Sequence, residues 1–181
     1  HYLYFKSLGA MGISYWNLGD SKQVFKIGKS LIEYGKKHAN IRSQTMGHMI
    51  LGGAYNLIGN HLKVIECFKK ACEVTADTMY EISAKTYIGL GYILNEQIDL
   101  AEPPLGEVVD FTKEYEWDWA GMPGQLFLGT VMIAKGNINK GFKMIDEAHQ
   151  SFIREGRKYY IALTEYILGK IYSQIVEGSS S

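Results

Sequence analysis

Apolar residues recur along this chain at three- and four-residue spacing, the period of a helix with one buried side. Leu8, Met11, Tyr15 and Leu18 form one such stretch, and Leu51, Tyr55 and Ile58 form another. Each runs into a short polar turn, after which the period resumes, with Val24, Ile27, Leu31 and Tyr34 in the first case and Val64, Phe68, Ala71 and Val74 in the second. The turns are Gly19-Asp20, Gly59-Asn60 and Gly136-Asn137, with Glu96-Gln97 in the equivalent place of the third unit. Glycine suits a helix end because it takes the left-handed conformation at no steric cost, and Asp20, Asn60 and Asn137 suit the start of the next helix. Strict alternation of apolar and polar residues never persists, so no strand is expected. The pattern predicts first helices near 4–18, 42–58, 80–95 and 121–135, second helices near 21–38, 61–76, 99–116 and 138–156, and a closing helix near 158–176.

The pairs are copies of one unit. Gly12, Gly52, Gly89, Gly129 and Gly169 each follow an apolar residue, at spacings of 40, 37, 40 and 40, and three residues later stand Tyr15, Tyr55, Tyr92, Met132 and Tyr172. A period in this range means stacked supersecondary units that bury their faces against one another. The glycine lets a partner helix approach, and the residue three positions on fills the space beside it.

The unit resembles the tetratricopeptide family, whose first helix carries Trp-x2-Leu-Gly-x2-Tyr and whose second carries Ala-x3-Phe. The second unit matches best, with Leu51-Gly52-x2-Tyr55, then Val64-x3-Phe68 and Ala71. Gly28 stands at the aromatic position of the first unit, the units are longer than the family's 34 residues, and its closing proline is missing. Units of this length resemble those of arrays attached to bacterial signalling ATPases, transcription activators and nucleotide cyclases. The resemblance implies an all-α fold, a right-handed α-solenoid of antiparallel hairpins spanning residues 1–181 as a single array. Its units lie near 4–38, 42–76, 80–116 and 121–156, with the closing helix at 158–176.

The resemblance also implies function: a protein-interaction scaffold that holds a helix or peptide in a concave groove lined by the first helices. The groove positions carry over to Lys6, Ile13, Trp16 and Asn17, to Met46, Met49, Gly53 and Asn56, and to Thr86, Tyr87, Leu90 and Ile93. Further along they are Leu126, Phe127, Thr130 and Ile133, then Tyr166, Lys170 and Ser173 on the closing helix. Some family members grip a peptide's terminal carboxylate with lysine, asparagine and arginine; here those places hold Gly9, Ile13, Met49, Gly53, Ser83 and Tyr87, so that clamp is absent. An apolar, methionine- and aromatic-rich wall suits an amphipathic helix or extended apolar segment, with Trp16, Met49, Tyr87 and Phe127 as expected anchors. Packing between neighbouring first helices is the competing role for the same side chains. The alternative function is a regulatory or dimerisation segment of a larger signalling enzyme such as a nucleotide cyclase or transcription activator, with the convex face or an open end of the array as the contact and a homodimer as one form of it.

Composition narrows the field. Nineteen basic and nineteen acidic residues cancel, which removes the electrostatic footprint of a nucleic-acid or anionic-membrane binder. No apolar run approaches the ~20 residues of a membrane span and no signal-peptide pattern appears, so a cytoplasmic protein is expected. The start at His1 and the Gly178-Ser179-Ser180-Ser181 end read as a fragment of something longer. Cys67 and Cys72, about 140° apart around a helix, are expected as structural thiols rather than a disulfide. The five histidines lack partners at metal-ligand spacing, and neither a phosphate-binding glycine loop nor a nucleophile elbow occurs. The expectation is therefore a non-enzymatic chain with no metal and no cofactor, whose partner is a protein or peptide. Residues 116–124, with Trp117, Trp119 and Pro123, are the least repeat-like stretch and are expected as a link between units that the tryptophans seal or that anchors a partner.

Overall fold

The computed structural model describes residues 2–178; the side chains of Tyr2, Trp119, Ala120 and residues 174–178 lie outside that description, as do the expectations placed on His1 and on the Trp119 ring. Among the described residues nine helices follow one another with no strand: α1 (Tyr2–Asn17), α2 (Ser21–Lys37), α3 (Ile41–Leu57), α4 (His61–Val74), α5 (Thr78–Leu94), α6 (Ile98–Glu114), α7 (Asp118–Ala134), α8 (Ile138–Glu155) and α9 (Lys158–Gly178). The first helices touch in series, α1 on α3, α3 on α5, α5 on α7 and α7 on α9, while each second helix packs against the first helices before and after it. Two layers result, with first helices on one side and second helices on the other.

Local chemistry accounts for the boundaries. Gly19, Gly59 and Gly136 take positive φ of 76°, 71° and 84°, the left-handed conformation that closes a helix cheaply. Glu96 does the same work at φ 57° without that advantage. The Asp20, Asn40, Asn60 and Asp77 side chains accept from the backbone N–H of Gln23, Ser43, Lys63 and Met79, satisfying donors that a helix start leaves unpaired. Asn137 departs from expectation: it precedes α8 but makes no capping side-chain bond.

A further expectation changes. The stretch 116–124 is not a link, because α7 already starts at Asp118. Its glycines are packing positions, since a Cβ on Gly121 would run into Thr112 and one on Gly124 into Val108 of α6. Pro103 and Pro104 stand in the second turn of α6. The carbonyls they leave unpaired, four residues earlier, belong to Asp99 and Leu100, both exposed to solvent.

The repeat glycines sit where helices cross. A Cβ on Gly52 would collide with the Phe68 ring, one on Gly89 with Leu105, and one on Gly129 with Ile145 and the Gly141 carbonyl. Between units the approach is as close: a Cβ on Gly47 would meet the Gly28 carbonyl and Ile32, and the Ser43 hydroxyl donates to the Leu31 carbonyl at 2.8 Å. Around these crossings lie three cores, one about Val24, Leu31 and Ile50, one about Val64, Phe68 and Ala84, and a larger one about Leu105, Phe127, Ile145 and Phe152.

Candidate interaction surface

The first-helix layer curves inward enough for side chains two units apart to meet. Trp16 of α1 lies across α3 on Gly53, where any Cβ would strike the indole, and its ring reaches Tyr87 of α5 at a centroid distance of 5.1 Å. Tyr87 stacks on Phe68 at 4.9 Å with the planes 14° apart. Its hydroxyl lies 2.8 Å from that of Tyr160 on α9, one donating to the other. Tyr160 stacks in turn on Phe152 at 4.9 Å, and the Arg157 guanidinium sits over the Tyr160 ring at 4.4 Å. An aromatic seam thus runs along the inner side from the first unit to the closing helix.

Burial fixes the charge state of this seam. It pushes the Tyr87 phenol well above its usual value, with the neighbouring Tyr160 adding to the effect. Burial also raises Tyr160, against the opposing pull of its bonds to Tyr87 and Arg157, and it moves Tyr159 up to about 12. All three stay neutral at physiological pH, so the seam acts by packing and one shared hydrogen bond.

Beside the seam the inner side leaves a recess of about 90 Å³, lined by Asn56 of α3, Leu90, Ile93 and Leu94 of α5, Phe127 and Thr130 of α7, and Tyr159, Leu163, Tyr166 and Ile167 of α9. That volume is far below the roughly 300–1,000 Å³ of small-molecule sites. It holds about one apolar side chain. Phe127 has no exposed surface and forms its floor, Thr130 turns its hydroxyl back onto the Leu126 carbonyl at 3.1 Å, and Tyr166 is 57% exposed.

Chains of this architecture are known. The crystal structure of nearly identical TPR-like repeats from a Podosopora anserina protein described as a putative kinesin light chain superposes with a TM-score of 0.63 at 13% identity, covering 100% of this chain and 99% of that one. A single-substitution form of the same protein gives 0.64 at 12% identity, over 97% and 96% of the two chains. The fold is the tetratricopeptide-type repeat. No family model and no curated protein matches the chain.

In this tetratricopeptide-type array the residues expected to line the groove separate into three groups. Asn56, Phe127, Thr130 and Tyr166 come together at the recess. Trp16 and Tyr87 belong to the seam, held by the array's own side chains, and the Trp16 Nε1 is buried with no hydrogen-bond partner among the described residues. Met46 and Met49 pack as partly buried members of the two N-terminal cores, while Asn17 is exposed at the end of α1. Of the other groove positions, Leu90 and Leu126 are buried, Thr86 is buried and bonded to the Ile82 carbonyl, and Ser173 donates to the Gly169 carbonyl. Leu94, Tyr159, Leu163 and Ile167 were missed. Tyr159 and Leu163 stand seven and three residues before Tyr166, which places them on its side of a helix and is the signal that reveals them. Cys67 is buried and Cys72 half-buried, both free, and burial raises Cys67 to about 11. Among the described residues no cluster of potential metal ligands forms and no helix is long and apolar enough to cross a membrane.

Proposed function

We propose that the chain is a protein-interaction scaffold that holds a partner's helix or extended segment against its inner side, with one apolar side chain of the partner seated in the recess between α5, α7 and α9. The observation that carries this reading is the size and lining of the recess: about 90 Å³, walled by aliphatic and aromatic side chains from α5, α7 and α9, with Asn56 of α3 and Thr130 at hand for the partner's backbone. A buried apolar anchor in a preformed pocket is what gives peptide recognition most of its affinity. Phe127 is the floor on which the anchor rests, while Trp16 and Tyr87 belong to the seam beside it. No catalytic constellation is needed for such work, and the reading is of a non-enzymatic module.

Selection of displayed peptides against the whole chain tests this. The selected sequences are expected to share one medium-sized apolar anchor and to lose binding when Leu94→Glu or Thr130→Lys places charge at the recess. Peptides that bind both variants as well as the original chain would refute the recess as the contact.

A further inference from the structure

The charges of this chain cancel as a whole but not along it. Residues 4–76, the first two units, carry ten lysines and arginines against four carboxylates, while residues 80–116, the third unit, carry eight carboxylates against Lys85 and Lys113. The recess reaches across the inner side to that acidic unit. At its α9 end Lys170 lies over the Tyr166 ring, 5.2 Å from the centroid. At its other end stand Asn56, the next-to-last residue of α3, and Ile93 and Leu94, the last two of α5.

Helix ends carry charge of their own, a fraction of a negative charge at each C-terminus. Three of the second helices answer it with a cation in the last turn: Lys36 and Lys37 in α2, Lys113 in α6 and Arg154 in α8. The first helices α1, α3, α5 and α7 have no such cation. Past the end of α5 the first charged residue is Glu96, which is exposed. Its backbone N–H donates to the Ile93 carbonyl at 3.0 Å, which folds it back beside the recess lining. The lysines around it are taken. Lys85 is held by Glu81 and Glu107, Lys135 at the end of α7 by Asp99 and Glu102, and Lys63, the first lysine past α3, by Glu66. The α3–α5 end of the recess is thus left negative.

We propose that the segment seated in the recess is basic as well as apolar, an inference that rests on the recess being the contact. On the α3–α5 side its apolar anchor has a lysine or arginine close by, which meets Glu96 and the C-terminal ends of those two helices. Lys170 opposes a cation at the other end, so the charges also fix which way the segment lies.

Peptides selected by display on the whole chain are expected to share, besides the anchor, a lysine or arginine at one fixed position within about four residues of it, roughly one helical turn. In a synthetic copy of a selected peptide, exchanging that cation for glutamate should weaken binding about fivefold at low salt, the scale of an exposed ion pair, and by less at high salt. Glu96→Lys in the chain should weaken the original peptide and restore the glutamate form, without lowering the melting temperature. Thr130→Lys separates this inference from the reading beneath it. Peptides that bind Thr130→Lys as well as the original chain, or a selection that yields no binder, overturn both. Peptides that lose binding to Thr130→Lys but have no fixed cation, have an acidic residue in its place, or ignore Glu96→Lys leave the recess as the contact and overturn its preference for a basic segment.

Discussion

α7 and α9 carry the same pattern, Leu128-Gly129-x2-Met132 and Leu168-Gly169-x2-Tyr172, yet one is sandwiched between layers and the other has an open side. Around Gly129 the backbone of α8 comes so close that an added Cβ would meet the Gly141 carbonyl at 2.9 Å. Around Gly169 the same atom would meet solvent. The contrast teaches that the repeat motif encodes half of a crossing: the glycine offers a place, and whether a second helix occupies it is a matter for the rest of the chain or for a partner. The large core under α7, α8 and α9 is complete on its inner side, through Phe127 and Phe152, and ends at the outer row of α9.

The largest expected effect breaks the sandwiched side. Phe127→Ala removes a fully buried ring from the floor of the recess and should cost about 3–5 kcal/mol in chemical denaturation, the range for such a truncation. Next, Gly129→Ala should destabilise by about 1–3 kcal/mol because backbone and Ile145 must move to admit the methyl. Gly169→Ala should instead stabilise by about 0.5–1 kcal/mol, since alanine lowers the cost of fixing a helical residue and meets nothing. Equal penalties at the two sites would erase the comparison. Smaller again, Tyr87→Phe should cost about 1 kcal/mol by removing the Tyr87 bond at the Tyr160 hydroxyl. The smallest effect is a pH dependence. Burial first, then Lys36 and Lys70, hold the His48 imidazole below its usual 6.5. The unfolded chain therefore takes up that proton before the folded one, and stability should fall as pH drops from about 6.5. His48→Gln should flatten that part of the profile of melting temperature against pH.

The fold was legible because its determinants are local and repeated. The spacing of apolar residues, the turn glycines and the Asp20 and Asn60 caps each state a helix or its end within a few positions, and the recurrence of Gly12, Gly52, Gly89 and Gly129 states the crossings. Glu96 was readable only by its place in the repeat, for its side chain gives no sign of a left-handed turn. The start of α7 was misread because Gly121, Pro123 and Gly124 look like breakers, whereas the glycines make room for Thr112 and Val108. The interaction surface was legible only in part. Groove positions follow from the repeat, but which of them stay accessible depends on how sharply the layer curves. That curvature joins Trp16 to Tyr87 and Tyr87 to Tyr160 across 71 and 73 residues of chain, a distance that no local spacing reports.

The measurement that bears most directly on the recess is a methyl-labelled NMR titration of the whole chain with a peptide selected as described above. Shifts concentrated on Ile93, Leu94, Thr130, Leu163 and Ile167, with Val24 and Leu31 unmoved, are the result this account predicts. Shifts centred on the second helices, with the recess methyls silent, would contradict it.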